Sequence, residues 1–204
     1  VLRKQTVVNN DNSFFESDEY IKSVCSSQNQ INAIQKYSQK GNIIVYGETG
    51  SGKTTMLKYI GNYNLKEKRN LCTIEDTKEL NINVPIALLT NHHYKIKDLF
   101  IASLRQHPSH VMVGETRTDE IVDILESALT TNVATSIHAN SFARAIQRIV
   151  FMSMARNVTS NQIIDLINAS VDCFIFMENR KVKEVWVHKT DFGKDIYNSY
   201  EQIK

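Results

Sequence analysis

Apolar residues come along this chain in short runs separated by longer stretches with helical spacing. The run Asn42-Ile43-Ile44-Val45-Tyr46 is rich in β-branched residues and too short for a buried helix, so it predicts a strand. Leu71-Cys72-Thr73-Ile74, Val111-Met112-Val113 and residues 133–137 have the same character. Between these runs the period changes. Residues 18–39 predict one helix, capped by Ser17 and ended by Gly41, and a second helix runs from Lys53 to about Tyr59. The stripe Ile96, Leu99, Phe100 and Leu104 predicts a helix over 95–105. Ile121, Ile124, Leu125 and Ala128 predict another, with Thr118 as its cap and Asp119 and Glu120 in the first turn, where the helix dipole favours acids.

Ser141 caps a helix that carries Phe142, Ala145, Ile146, Ile149 and Val150 on one side. Thr159 and Gln162 form a capping box for a further helix to about Ala169. Strands alternating with helices predict an α/β domain with a mostly parallel central sheet flanked by helices on both faces. The last part differs. Residues 171–177 and 182–188 flank the turn Glu178-Asn179-Arg180-Lys181, which predicts C-terminal antiparallel strands. At the other end, residues 1–8 are β-rich and residues 9–13 read as a linker.

The glycines bring in chemistry. Four of the seven, Gly41, Gly47, Gly50 and Gly52, fall close together. Gly47-Glu48-Thr49-Gly50-Ser51-Gly52-Lys53-Thr54 is a complete G-x-x-x-x-G-K-[ST] phosphate loop, placed between a predicted strand and a predicted helix as the motif requires. Main-chain N–H groups must wrap a phosphate there, so side chains are absent at the closest approach, and the helix N-terminus adds partial positive charge. Gly47, Thr49, Gly50, Ser51, Gly52, Lys53, Thr54 and Thr55 are therefore the nucleotide-binding candidates. Lys53 reaches the β- and γ-oxygens, and the Thr54 hydroxyl completes a Mg²⁺ shell.

Hydrolysis also needs acids near the metal and near the attacking water. In a parallel sheet these belong at the carboxyl ends of strands beside the loop. Glu75-Asp76 and Gly114-Glu115 each follow such a strand, and His138 follows the strand ending at Ile137.

Composition narrows the choice. The 204 residues are 42% hydrophobic and 23% charged, which excludes disordered and fibrous classes. A domain of this size buries roughly 70% of its unfolded surface without staples. The formal net charge of +2 is not that of a strongly basic nucleic-acid domain, and Lys66, Lys68 and Arg69 read as a solvated loop. No strong direct nucleic-acid binding is expected. No apolar run approaches the roughly 18 residues of a membrane helix, and Val1-Leu2-Arg3-Lys4 leads into polar sequence unlike a signal peptide. Cys25, Cys72 and Cys173 are isolated, which argues against a disulfide framework and for a reducing interior. Pro108 breaks the helical spacing of His107 and His110, so zinc is disfavoured.

Taken in order, these segments resemble the traffic ATPases of bacterial secretion and pilus systems. That family carries a Walker A loop, an acidic Asp box, a Walker B with Gly-Glu and a His box. They stand here as Gly47 to Thr54, Thr73-Ile74-Glu75-Asp76-Thr77, Val113-Gly114-Glu115 and Ile137-His138-Ala139-Asn140-Ser141. Thr-Ile-Glu-Asp-Thr followed by Glu79-Leu80 is similar to the type IV secretion (conjugation) branch, as are Leu104-Arg105, Pro108 and Arg117, and Ala145, Arg148 and Met152 after the His box.

The resemblance implies a RecA-like P-loop NTPase domain over residues 13–204, with residues 1–12 a remnant of an N-terminal domain or a linker. The chain opens without Met and reads as a piece of something longer. The implied cofactors are ATP and Mg²⁺. The implied roles are Glu115 on the attacking water, Glu75 and Asp76 with Thr54 around the metal, His138 on the γ-phosphate, and Arg105 and Arg117 on the phosphates or at a subunit interface. A homo-oligomer, hexameric in the full-length protein, is implied at the cytoplasmic face of the inner membrane, beside the secretion machinery. Thr130-Thr131-Asn132 stands where the family usually has Thr-Gly-His, Thr118 replaces a Gly and His110 a common Arg, so no roles are transferred to those positions.

Two other readings compete. A P-loop small-molecule kinase has similar length but needs a lid, and no lid-like insertion is found. An ATP-binding structural ring subunit with little turnover would show a lost acid, yet Glu75, Asp76 and Glu115 are all present. The guanine motif of GTPases and the signature motif of ABC transporters are absent from the chain.

Overall fold

The computed structural model describes Phe14, residues 18–189 and residues 195–204. The expected strand and linker over residues 1–13, and the Ser17 cap, lie outside the described residues. Eight strands among the described residues form one sheet in the order β3-β2-β4-β5-β1-β6-β7-β8. They are β1 (Ile43–Gly47), β2 (Leu71–Glu75), β3 (Ile86–Leu89), β4 (His110–Val113), β5 (Asn132–His138), β6 (Cys173–Glu178), β7 (Lys181–His188) and β8 (Tyr200–Ile203). Strands β1 to β6 run parallel, and β7 and β8 add an antiparallel ribbon at one edge.

The helices are α1 (Asp18–Val24), α2 (Gln28–Gln39), α3 (Lys53–Lys66), α4 (Ile96–Leu104), α5 (Glu120–Ser127), α6 (Phe142–Ser153) and α7 (Ser160–Ser170). Because side chains alternate along a strand, β1 feeds both faces of the sheet. Ile43 and Val45 pack with Ile34, Leu57 and Ile60 of α2 and α3. Ile44 and Tyr46 pack with Ile121, Ile146, Ile149 and Ile167 of α5, α6 and α7. A third cluster joins Phe100 of α4 to Val111 and Val113 of β4. Each large side chain buried this way contributes roughly 1.5–3 kcal/mol.

Several expected boundaries move, each for a local reason. The single helix over 18–39 is two. The Gln30 amide oxygen accepts bonds from the main-chain N–H and hydroxyl of Ser26, and the Ser27 hydroxyl accepts from Gln30 N, so side chains replace helical bonds at the break. Thr118 does not cap α5. The buried Glu120 carboxylate accepts the N–H groups of Arg117 and Thr118 and the Thr118 hydroxyl, because a charged acceptor binds donors more strongly than a hydroxyl does. Helix α3 runs on to Lys66, well past Tyr59, packed against α2 along its length. The short edge strands β3 and β8 had no clear signal in the pattern. The caps at Ser141 and Thr159 form as expected.

Among the described residues no helix is long and apolar enough to cross a membrane.

Candidate active site

Parallel pairing puts the carboxyl ends of β1, β2, β4 and β5 on one edge of the sheet, and register aligns the residues just past each strand. Gly47 lies beside His138 across the β1–β5 pair. Ile74 lies beside Val113, which sets Glu75 next to Gly114. The turn after β4 is pinned by Gly114 N to Ile74 O at 2.9 Å, Thr116 N to Ser136 O at 2.8 Å and the Ser136 hydroxyl to Gly114 O at 2.7 Å. These bonds carry Glu115 across to the phosphate loop.

The loop itself leaves no room for side chains at two points. A Cβ on Gly47 would stand 2.3 Å from Met177 O and 2.4 Å from the Ser51 hydroxyl. Gly52 sits at φ +103 with its missing Cβ 3.3 Å from Arg180 Cα, so the tip of the β6–β7 hairpin rests directly on the loop. Arg180 N donates to Ser51 O at 2.9 Å, tying the two together.

Lys53 opens α3 almost fully buried and donates to the carbonyls of Gly47 and Glu48, both at 2.9 Å. Its Nζ stands 3.5 Å from Nδ1 of His138, and Nε2 of the same ring stands 2.6 Å from Glu115 Oε1. Arg117 Nη2 donates to the other Glu115 oxygen at 2.6 Å. An ammonium only donates, so Nδ1 is the acceptor and the ring proton sits on Nε2, facing the carboxylate.

The charges agree with that assignment. Burial, and then the Lys53 charge, lower the His138 pKa, with Glu115 working against them, so the ring is neutral at pH 7. Burial pushes the Glu115 carboxyl up, but the Arg117 hydrogen bond, His138 once it is protonated at low pH, and the Arg117 and Lys53 charges outweigh it and lower the pKa. Burial lowers the Lys53 ammonium, and Glu115 offsets part of that.

These groups line a cavity of about 460 Å³, together with Thr49, Gly50, Thr54, Glu75 and Asp76. Not every expected residue reaches it equally. Glu75 turns one oxygen to the N–H groups of Glu79 and Leu80, at 2.9 and 2.8 Å, so that oxygen holds the loop after β2. Asp76 accepts from the Thr90 hydroxyl at 3.0 Å. Ser51 is buried behind the loop, and Thr55 does not line the cavity. Arg105 is outside the group altogether. It is exposed at the end of α4, which leads into the amino end of β4, so it faces away from the phosphate edge. Ser136, which no motif marks, and Glu79, which follows the Asp box, also line the cavity; strand alternation in β5 is the signal that points Ser136 to this side.

Oxygen donors on Thr54 and Asp76, with the remaining carboxylate oxygen of Glu75, make a hard, oxygen-only set that suits Mg²⁺. Among the described residues no three His, Cys, Asp or Glu side chains converge on a metal position.

The profile of the family described as type II/IV secretion system protein matches residues 6–184. The chain belongs to that family. Among its relatives, the conjugal transfer protein TrbB of Rhizobium radiobacter is 26% identical over 200 residues, covering 92% of this chain and 61% of TrbB. The VirB11 ATPase of the Brucella suis type IV secretion system, solved in complex with sulphate, superposes with a TM-score of 0.69 at 28% identity, covering 78% of this chain and 52% of that one. The Legionella pneumophila ATPase DotB gives 0.57 at 25% identity, covering 84% of this chain and 47% of that one. The chain thus spans about half to three-fifths of these relatives. The family fold, a mostly parallel sheet between helices with an antiparallel C-terminal edge, is the fold found here.

Proposed function

We propose that this chain is the catalytic core of an ATP-hydrolysing motor subunit that powers type IV secretion, conjugative transfer or pilus assembly. The convergence of Lys53, Glu115 and His138 on one cavity beside the phosphate loop carries the reading. The triphosphate tail lies against the N–H groups from Gly50 to Thr54. Lys53 exchanges its carbonyl partners for β- and γ-oxygens, a gain for a buried ammonium. Thr54 and Asp76 hold Mg²⁺, which neutralises charge on the phosphates when bound.

Glu115 orients the attacking water and takes its proton. To do so it must shed one of its two present partners, Arg117 or His138. A γ-phosphate supplies the reason, because both are donors that an oxyanion attracts. Binding therefore frees the base and rearranges the Arg117 side in one step. Hydrolysis removes the anion and lets the pairs close again, a two-state element of the kind that drives rigid-body movement. Arg105, on the far edge, is left for a contact between subunits of a homohexamer built by the full-length protein. That ring would act at the cytoplasmic face of the inner membrane, with the secretion machinery.

Mg²⁺-dependent ATP hydrolysis tests this. Lys53→Ala abolishes it while thermal melting stays intact, and Glu115→Gln lowers it by about 10²–10⁴-fold. Undiminished turnover in either variant overturns the reading. A rate per subunit that rises with protein concentration tests assembly in the same experiment.

A further inference from the structure

A second cavity adjoins the phosphate cavity at His138. This vestibule, about 630 Å³, shares Thr49 and His138 with the first and is walled by α6. Arg144 and Arg148 line it from α6, four residues apart and so on one face of the helix. Arg148 Nη2 leans on the Arg117 carbonyl at 3.4 Å, which sets it beside the residue that clamps Glu115. Arg117 is paired with Glu115, and Arg156 with Asp119 and Asp123. Among the described residues neither Arg144 nor Arg148 forms an ion pair. The one carboxylate lining the vestibule is Glu48, and the two guanidinium groups outnumber it. Phe151, 66% exposed, borders the cavity.

We propose that Arg144 and Arg148 form a second phosphate subsite, which receives inorganic phosphate from the γ-position after cleavage and leads it out past His138. The inference rests on the ATP-hydrolysis reading above. A dianion leaving the loop faces Lys53 behind it and two unpaired guanidinium groups ahead. A cleft lined by one sign of charge draws the ion along it and raises its local concentration. Arginine forks match phosphate oxygens in pairs, which makes the vestibule a phosphate site as well as a positive surface.

Equilibrium dialysis of radiolabelled inorganic phosphate against the chain saturated with ADP and Mg²⁺ tests it. The R144Q/R148Q double variant weakens phosphate affinity at least about tenfold, or 1.4 kcal/mol. The R144K/R148K variant keeps the charge but loses the paired forks, so its phosphate affinity falls between those of the parent and the glutamine variant. Phosphate inhibition of steady-state turnover weakens in the same order. Unchanged phosphate affinity in the double glutamine variant overturns the subsite, and so does a variant whose defect is confined to association between subunits. A chain that neither binds ADP nor hydrolyses ATP removes the underlying reading instead. Dialysis of nucleotide-free Lys53→Ala protein, with and without the arginine changes, then still decides whether the vestibule holds phosphate.

Discussion

His110 gives a test of how this sheet is held at the edge away from the site. It starts β4, 5% exposed, with Nδ1 3.4 Å from the Ser109 hydroxyl and Nε2 without a hydrogen-bond partner. Burial, and then the Arg69 charge, lower its pKa from 6.5 to about 4, while the carbonyls of Gln39 and Ser38 pull upward without closing a hydrogen bond. The sign follows from linkage. Well above pH 6.5 the ring is neutral in both states and adds nothing. As pH falls from 6.5 towards 4 the unfolded chain takes up a proton that the folded chain refuses, so stability is lost, and the loss levels off below pH 4.

The full difference is about 3 kcal/mol, of which about 2 kcal/mol has accrued by pH 5. His110→Gln keeps a neutral polar side chain and removes the titration. Urea unfolding at pH 7.5 and pH 5.0 should then show the parent losing about 2 kcal/mol more than the variant. His138 and His188 titrate in both proteins and cancel from the comparison. Equal losses in the two proteins would show that His110 already carries its proton in the fold and would refute the reasoning.

Three shorter predictions come from contacts. Gly47→Ala forces a methyl to within 2.3 Å of a main-chain carbonyl that β6 holds in place, so it destabilises the fold by about 1–3 kcal/mol in a urea titration; an unchanged midpoint contradicts it. Ser141→Ala removes the acceptor for Arg144 N at the start of α6 and costs about 1 kcal/mol, read as a lower melting temperature. Arg117→Gln removes the strongest downward pull on Glu115, so the carboxyl titrates at higher pH in a carbon-13 NMR titration; an unmoved midpoint would mean that His138 and Lys53 alone hold it ionised.

Much of this protein was legible one residue at a time. A β-branched run, a loop of glycines ending in Lys53-Thr54 and acids at strand ends each state a local requirement, and local requirements are written in consecutive residues. The capping serines and threonines at 141 and 159 belong to the same class. The helix break at Ser26-Ser27 was local too, set by hydrogen bonds among Ser26, Ser27 and Gln30 that replace helical ones. Gly61 inside α3 weakened the helical signal, yet packing against α2 and the sheet carries that helix on to Lys66.

Only the tertiary structure decided which of those local features meet. Pairing of β1 with β5 brings His138 to Gly47, and pairing of β2 with β4 brings Glu75 to Gly114. The Lys53–His138–Glu115–Arg117 chain, the Arg180 hairpin seated on the loop and the turning of one Glu75 oxygen to main-chain N–H groups all depend on that register. Arg105 shows the reverse, since its place in the order of motifs did not put it near the phosphates. Strand register is set by how a whole face of side chains packs, so it is a property of the assembled sheet and is not contained in any one segment of the chain.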